Sequence, residues 1–153
     1  MRVLVESPVG PLAVVMDGDV VIGVRFGGTA GAVPASGAVA ADFAGYFAGT
    51  QTAFTVPVEI RGGSAFERAV WAELSSIPYG EMRTYGDVAK AIGDVGAARA
   101  VGTACNRNPI PVIVPCHRVV GAGGKLVGFG GGLARKRQLL ELEARVVLER
   151  AWG

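Results

Sequence analysis

The sequence contains too little cysteine and histidine for a metal centre or a disulfide framework. Its 153 residues include two cysteines, Cys105 and Cys116, and one histidine, His117. A structural zinc ion needs four such ligands and a disulfide-stapled fold needs several cysteine pairs, so both classes are excluded. We therefore expect no metal and no cofactor. Two free thiols of this kind are typical of the reducing cytoplasm.

Long apolar runs are also missing. The opening residues, Met1 to Glu6, lead into no apolar segment with a small-residue cleavage site, and no run approaches the length of a membrane span. We expect a cytoplasmic protein that makes no contact with membranes. The length is sufficient for one ordinary domain or two small ones.

The small net charge hides an uneven distribution. Residues 1–82 carry four Lys or Arg against eight Asp or Glu, a net charge of −4, whereas residues 83–153 carry eleven against five, a net charge of +6. A basic half favours contact with a polyanion. Ordinary solvation of surface charge is the alternative.

The residues best suited to nucleophilic catalysis lie together in the stretch Ile110 to Arg118, where His117 directly follows Cys116. The apolar run Pro111 to Val114 predicts a strand, and Pro115 must bend the chain after it, because proline lacks an N–H and fixes its φ angle. We expect the imidazole, itself held by a carboxylate, to lower the pKa of the thiol and make it a nucleophile. The alternative is an inert buried cysteine beside an incidental histidine.

The first part of the chain, up to about Arg61, predicts a small α+β unit. Turn residues separate three short β-branched runs, which indicates an antiparallel meander over Val3 to Glu6, Leu12 to Met16 and Val20 to Arg25. The remaining segments predict a loop over Gly27 to Gly37, an amphipathic helix over Val39 to Ala48 and a further strand over Phe54 to Ile60.

The glycine pair Gly62-Gly63 marks the predicted boundary between a domain of residues 1–61 and a domain of residues 62–153. Two capping-box signatures follow it, Ser64 with Glu67 and Thr84 with Asp87, and each begins a helix. The first of these helices ends before Pro78.

A third, Ala-rich helix is predicted over Ala97 to Asn106, with Arg99 in its first turn. The helix after Thr84 and this third helix resemble a helix-turn-helix, whose second helix enters a groove of DNA. A plain αα-hairpin is the alternative.

The chain after Cys116 predicts a glycine-rich loop and a final helix. Residues 121–132 lack the spacing of a phosphate loop, so we expect their backbone to pass close to a ligand. The final helix is predicted over Leu133 to Val147. On it, Glu143 either faces solvent or turns inward to orient His117.

Several of these segments together resemble the O6-alkylguanine-DNA alkyltransferase family of suicidal DNA-repair proteins. The resemblance covers roughly Phe66 to Glu143, and its most specific motif is Pro115-Cys116-His117-Arg118. The other matching residues are Ile77-Pro78-Tyr79-Gly80-Glu81, Tyr85-Gly86, Ala98-Arg99-Ala100-Val101-Gly102, Asn108-Pro109, Leu139-Leu140 and Glu143.

The resemblance implies an α+β fold. A small N-terminal domain would contain a three-stranded antiparallel sheet and helices, and a mainly helical C-terminal domain would contain a winged helix-turn-helix. The implied activity is irreversible, stoichiometric transfer of an alkyl group from O6-alkylguanine in double-stranded DNA to Cys116, after the damaged base has been flipped out. The protein would act as a monomer.

The same resemblance implies roles for single residues. His117 would be the base, reached through a water, Glu143 would orient it, and Asn108 would brace the turn that carries the cysteine. Tyr85 would donate to N3 of the guanine, and further contacts to the base are implied for Val119, Phe129 and Gly130. Contacts to DNA are implied for Thr84, Ala98, Arg99 and Gly102, with Arg99 as the finger that fills the vacated stack. Arg107 lies where the family varies, and we expect no role for it beyond a contact with phosphate.

Two departures from the family pattern are visible. Phe129 stands where the family most often has tyrosine, so a contact through that hydroxyl is absent. Members with zinc in the N-terminal domain carry cysteines and histidines there, whereas this chain has neither before Cys105.

Three other classes of function compete with this interpretation. A Cys-His hydrolase would explain Cys116, His117 and Glu143, but not Arg99, Tyr85 or the helix-turn-helix. A non-catalytic lesion-recognition protein of the same fold would lack Cys116. A transcription regulator has no use for the Pro-Cys-His-Arg motif.

Overall fold

The computed structural model describes all 153 residues, which divide into two compact units. The first unit consists of Met1–Arg61 and the short segment Pro109–Pro111, and the second of Gly62–Asn108 and Val112–Gly153. None of the helices combines the length and the apolar character that crossing a bilayer requires. The elements are β1 (Arg2–Val5), β2 (Leu12–Asp17), β3 (Val20–Phe26), β4 (Val33–Pro34), α1 (Gly37–Ala48), α2 (Ala65–Leu74), β5 (Arg83–Thr84), α3 (Tyr85–Ala91), α4 (Ala98–Asn106), β6 (Val119–Val120) and α5 (Leu133–Trp152).

The first unit contains the predicted antiparallel meander of β1, β2 and β3, with one strand more than expected. Strand β4 pairs in parallel with β1, placing Val3 opposite Val33, so the sheet is mixed and has the order β3-β2-β1-β4. The loop predicted over Gly27 to Gly37 therefore includes a two-residue strand. The Arg2 guanidinium helps to fix this segment by donating to the carbonyls of Gly28 and Ala30, at 2.8 and 3.4 Å. A strand of two residues is too short to show the alternation of apolar and polar residues by which a strand is predicted from sequence.

The strand predicted over Phe54 to Ile60 is wrong, because a buried carboxylate binds the backbone there. Asp42, on α1, accepts hydrogen bonds from the N–H groups of Thr55 and Val56 at 2.6 and 2.9 Å. Only Val58 makes a bridge to the sheet, opposite Val21. The segment instead covers α1, whose Phe43 packs edge-on against Phe54 with ring centroids 5.0 Å apart.

The second unit begins with the two predicted capping boxes, and both are formed. The Ser64 N–H donates to the Glu67 carboxylate at 2.9 Å and the Glu67 N–H donates to Ser64 Oγ at 3.1 Å, which starts α2. Thr84 and Asp87 make the same reciprocal pair and start α3. Helices α3 and α4 follow one another as predicted for the helix-turn-helix, and β5 pairs with β6 in a short parallel ladder.

Helix α5 extends to Trp152, five residues beyond its predicted end at Val147. Its buried residues follow one helical stripe, Lys136, Leu139, Leu142, Glu143 and Val146. Two of the five are ionisable. A charged side chain is rarely buried without a partner or a function, so the inner face of α5 does more than fill the core.

The glycine pair before α2 provides a test of packing in the second unit. Gly62 and Gly63 both have left-handed φ angles, of 78° and 85°. A Cβ on Gly63 would lie 2.5 Å from Cζ3 of Trp71, a ring that is 3% exposed, whereas a Cβ on Gly62 would meet nothing within 4 Å.

We expect Gly62→Ala to lower the free energy of unfolding by about 1 kcal/mol, the usual penalty for a side chain in this backbone region. Gly63→Ala should lower it by about 1–3 kcal/mol more, because the buried indole must move. Urea unfolding of the two variants measures the difference. Equal losses of unfolding free energy in the two variants would show that the Trp71 ring can move without destabilising the fold.

Candidate active site

The cysteine is presented by a tight turn and not by the predicted strand. Pro111 to Val114 form a turn in which Val112 has a φ angle of 73°, the one residue other than glycine with a positive φ. Pro115 then bends the chain as expected, with the Cys116 N–H donating to the Val114 carbonyl across it at 2.9 Å. A 3₁₀ turn, Cys116–Arg118, follows. A short buried apolar run looks like a strand in sequence whether or not a neighbouring strand is available to pair with it.

Asn108 braces this turn from the end of α4. Its side-chain amide donates to the Val114 carbonyl at 2.8 Å, and its side chain also hydrogen-bonds the Cys116 thiol. Left-handed φ angles of β-branched residues persist only where surrounding contacts hold them, so this brace and the burial of Val112 together keep the turn closed.

The thiol of Cys116 is buried and protonated in the free protein. Burial raises its pKa to about 11, against smaller opposing effects of the Asn108 hydrogen bond and of the positive charge on Lys136. The expectation that His117 lowers this pKa is therefore wrong for the free protein, because desolvation of the thiolate outweighs every favourable contact. Deprotonation must accompany the reaction.

His117 and Glu143 belong to a buried ionic cluster that also contains Arg118. Glu143 accepts from Nε2 of His117 at 2.7 Å, from Arg118 at 2.8 and 3.1 Å, and from the Gly80 N–H at 3.0 Å. Burial alone would raise the pKa of Glu143, but the hydrogen bonds and charges of His117 and Arg118 outweigh it and hold the pKa at about 2.

The ionised Glu143 determines which nitrogen of His117 can act as a base. A carboxylate only accepts, so Nε2 carries the hydrogen and the lone pair lies on Nδ1. Nδ1 is buried and has no hydrogen-bond partner within the protein. Burial also lowers the pKa of His117, although its bond to Glu143 opposes the effect, so the imidazole is neutral near pH 7.

Tyr85 and Lys136 form a second polar cluster. The Tyr85 hydroxyl donates to the Val127 carbonyl at 2.8 Å, and the Lys136 ammonium lies 3.3 Å from the same hydroxyl oxygen. Burial raises the pKa of Tyr85 to about 12, and negative charge on Cys105 or Cys116 would act in the same direction. Tyr85 is therefore a neutral phenol near pH 7.

A cavity of about 540 Å³ opens beside Tyr85, within the usual range for a small-molecule site. It brings together five residues that the sequence indicates, Thr84, Tyr85, Ala98, Arg99 and Gly102, and five others, Gly86, Asn106, Ala122, Val127 and Gly128. The remaining candidates do not line it.

Cys116, His117, Asn108 and Glu143 are outside the cavity lining and occupy the positions described above, and the other four candidates lie in three places. Val119 is buried in β6, whereas Phe129 and Gly130 lie in the segment before α5. Arg107 forms an ion pair with Glu67 at 3.7 Å, with much of its side chain exposed.

Comparison with known proteins identifies the family. Residues 65–145 match the family described as 6-O-methylguanine DNA methyltransferase, DNA binding domain. A methylated-DNA--protein-cysteine methyltransferase of Mycobacterium leprae is 46% identical over 152 residues, which cover 94% of this chain and 92% of the relative. The chain belongs to the 6-O-methylguanine DNA methyltransferase family.

Solved structures of the 6-O-methylguanine DNA methyltransferase family share the whole architecture. The O6-methylguanine methyltransferase of Mycobacterium tuberculosis superposes with a TM-score of 0.84 at 45% identity, covering 94% of this chain and 92% of that one. Mycobacterium tuberculosis OGT in complex with DNA gives 0.86 at 46% identity, covering 95% and 93%. The α+β fold predicted from the sequence is therefore confirmed.

Sequence reasoning missed three participants in this methyltransferase site. Lys136 lies three and seven residues before Leu139 and Glu143, so helical spacing placed it on the buried face and could have revealed it. Arg118 was seen only as part of the Pro-Cys-His-Arg motif. The Gly80 N–H could not be predicted from the sequence, because every residue except proline has a backbone N–H donor.

Proposed function

We propose that this protein repairs alkylated DNA by direct reversal, moving the alkyl group of O6-alkylguanine irreversibly to Cys116. Membership of the family supports this reaction, and the geometry supports this acceptor. The observation that carries it is a buried thiol in the turn that also bears His117, whose Nδ1 is left as the free base because Nε2 bonds to the ionised Glu143. Burial raises the pKa of Cys105, the other thiol, to about 12, and Cys105 has no histidine beside it in the sequence.

The first chemical step is removal of the thiol proton. It passes to Nδ1 of His117 through a water, and the resulting imidazolium is stabilised by Glu143, 2.7 Å from the other ring nitrogen. Since the pKa of the Cys116 thiol is raised to about 11, little thiolate exists at rest. The base is what makes the reaction possible near neutral pH.

The second step forms the S–C bond and breaks the C–O6 bond. The electron pair of the broken bond goes to the guanine, and Tyr85 neutralises it by donating its proton to N3. The thiol proton held on His117 then returns through solvent to the Tyr85 oxygen, so that overall one proton replaces the alkyl group on the base. The thioether on Cys116 is stable, so the protein acts once. Val119 and Cys116 offer backbone carbonyls to the exocyclic amine, and Phe129 and Gly130 contact the base.

We assign residues 62–153 to a DNA-binding and alkyl-acceptor domain and residues 1–61 to an N-terminal α+β domain. Helix α4 enters a groove of the duplex, where Ala98 and Gly102 allow close approach and Arg99 fills the space left by the flipped nucleotide. Thr84 and Arg107 contact the backbone. The protein works as a monomer in the cytoplasm, where its two unpaired cysteines stay reduced.

Loss of the lesion tests this function. When a duplex with one O6-methylguanine is mixed with a series of protein amounts, the lesion should disappear in proportion to the protein and then stop. Cys105→Ala should behave like the unaltered protein, whereas Cys116→Ala should remove none. Continued loss of lesion beyond one per protein molecule would show a turning-over enzyme and would refute the proposal.

A further inference from the structure

Asn106 is a polar residue of the cavity to which the proposed reaction assigns no role. It is the last residue of α4, its side chain is exposed, and it lines the cavity beside Tyr85. The side chain makes no hydrogen bond within the protein, whereas the amide of Asn108, two residues further on, donates to the Val114 carbonyl at 2.8 Å. The two N–H donors and the carbonyl oxygen of the Asn106 amide are therefore free to bind a ligand in the cavity.

The space above Gly128 shows where this amide lies. Gly128 lines the same cavity, and a Cβ on it would lie 3.6 Å from Nδ2 and 3.7 Å from Oδ1 of Asn106. The same point is 3.9 Å from the hydroxyl oxygen of Tyr85. Because glycine has no side chain, this space is open. A ligand that enters it contacts the Asn106 amide and the Tyr85 hydroxyl together.

The role of Tyr85 indicates which part of the nucleotide faces Asn106. In the proposed reaction Tyr85 donates to N3 of the guanine. Two groups of the nucleotide lie beside N3, the exocyclic amine on one side and the deoxyribose, through N9, on the other. The amine is assigned to backbone carbonyls of Val119 and Cys116, so the deoxyribose is the group that remains for Asn106. Its oxygens accept hydrogen bonds, which matches the amide donors.

We propose that Asn106 binds the deoxyribose of the flipped nucleotide, with its side-chain amide donating a hydrogen bond to a sugar oxygen. This inference rests on the proposed function. The base is then held at N3 by Tyr85 and through its sugar by Asn106, and two fixed points on one side of the ring orient the O6 substituent. Asn106 therefore distinguishes a nucleotide from a free base. Its role differs from that of Arg99, which acts only when a nucleotide leaves a duplex.

Two small substrates that differ only in the sugar test this contact. They are O6-benzylguanine and O6-benzyl-2′-deoxyguanosine, and the readout is the second-order rate constant of benzyl transfer to Cys116, followed by protein mass. Asn106→Ala removes the amide, and Asn106→Leu removes its hydrogen bonds but keeps a branched side chain of similar shape. Thr103→Ala is the matched control, because it changes an exposed polar residue of α4 that does not line the cavity. Thermal unfolding checks that each variant is folded at the assay temperature.

We expect both Asn106 variants to slow transfer from the nucleoside about three- to tenfold, the usual effect of losing one hydrogen bond between uncharged groups. Transfer from the free base should change less than about twofold, because the free base has no sugar. A duplex with one O6-benzylguanine should be slowed about as much as the nucleoside. Thr103→Ala should leave the rates with both small substrates within about twofold.

Equal slowing with the nucleoside and the free base would overturn the inference, because Asn106 would then support the active site and not bind the sugar. An unchanged nucleoside rate would overturn it as well, and so would a normal rate in Asn106→Leu, which would show that shape alone matters. Slowing confined to the duplex would place Asn106 against another part of the DNA. If the unaltered protein gained no benzyl group from either compound, the proposed function itself would be refuted.

Discussion

Glu143→Gln is expected to lower the free energy of unfolding by about 3–5 kcal/mol, the range typical of breaking one side of a buried ion pair. In the unaltered protein the Glu143 carboxylate lies 2.8 Å from Nε of Arg118 and neutralises its charge. The change leaves the Arg118 guanidinium buried without a counterion. It also replaces one carboxylate oxygen by an NH2 donor, so the hydrogen of His117 is no longer held on Nε2 by an ionised acceptor. Alkyl transfer should therefore slow at least about tenfold, because the base at Nδ1 is no longer secured.

The same variant should change how stability depends on pH. The pKa of Glu143 is lowered from 4.5 to about 2 in the folded protein, so its contribution is complete above about pH 4.5 and is lost as the pH falls towards 2. The pKa of His117 is also lowered by burial, from 6.5, so the unfolded chain takes up a proton first and stability declines below about pH 6.5. Both effects make the unaltered protein less stable in acid.

Urea unfolding at about pH 7 and about pH 4 measures these effects. Glu143→Gln should lack the part of the acid loss that belongs to Glu143. Glu141→Gln is the matched control, because it neutralises an exposed carboxylate on the same helix and should leave stability within about 0.5 kcal/mol. A Glu143 variant as stable as this control would contradict the buried ionic cluster. A variant that is destabilised but transfers alkyl groups at the normal rate would instead remove Glu143 from the mechanism.

Arg99→Ala is expected to reduce alkyl transfer from duplex DNA strongly, by about tenfold to a hundredfold, while transfer from free O6-benzylguanine stays within about twofold. Arg99 is exposed in the first turn of α4 and lines the cavity beside Tyr85. Flipping a nucleotide costs a few kcal/mol of stacking and pairing, and a side chain that fills the gap returns part of that energy. A free base needs no flipping, so it reports on the active site alone.

Lys90→Ala provides the control for this comparison. Lys90 is an exposed cation in the last turn of α3, does not line the cavity, and should affect binding only through salt-dependent attraction to phosphates. Single-turnover rates at saturating DNA separate binding from transfer. If Arg99→Ala slowed transfer equally on both substrates, Arg99 would support the active site and the role of a finger would have to be abandoned.

The elements predicted correctly from the sequence are those that depend on bonds between residues close together in the chain. Ser64 with Glu67 and Thr84 with Asp87 start helices through bonds between residues three apart, so both helix starts could be predicted from the sequence. The strand predicted over Phe54 to Ile60 was wrong because the N–H groups of Thr55 and Val56 bond to Asp42, a partner distant in the chain. Strand β4 was missed because it depends on pairing with β1.

The candidate site divides in the same way. The Pro-Cys-His-Arg motif and the family resemblance were sufficient to predict four site residues from the sequence, Cys116, His117, Glu143 and Tyr85. The protonation state of Cys116 could not be predicted, since burial raises its pKa to about 11 and burial follows from tertiary packing. Lys136 was overlooked although its spacing from Glu143 placed it on the buried stripe, because lysine is usually solvent-exposed.

The most direct test of the central claim is the position of the transferred group. The protein should be mixed with a duplex that contains one O6-methylguanine, and peptides of the product should be mapped by mass spectrometry. The account predicts one added methyl group per protein molecule, located on the sulfur of Cys116 and stable afterwards. A methyl group found on Cys105, or an unmodified protein beside a repaired duplex, would contradict it.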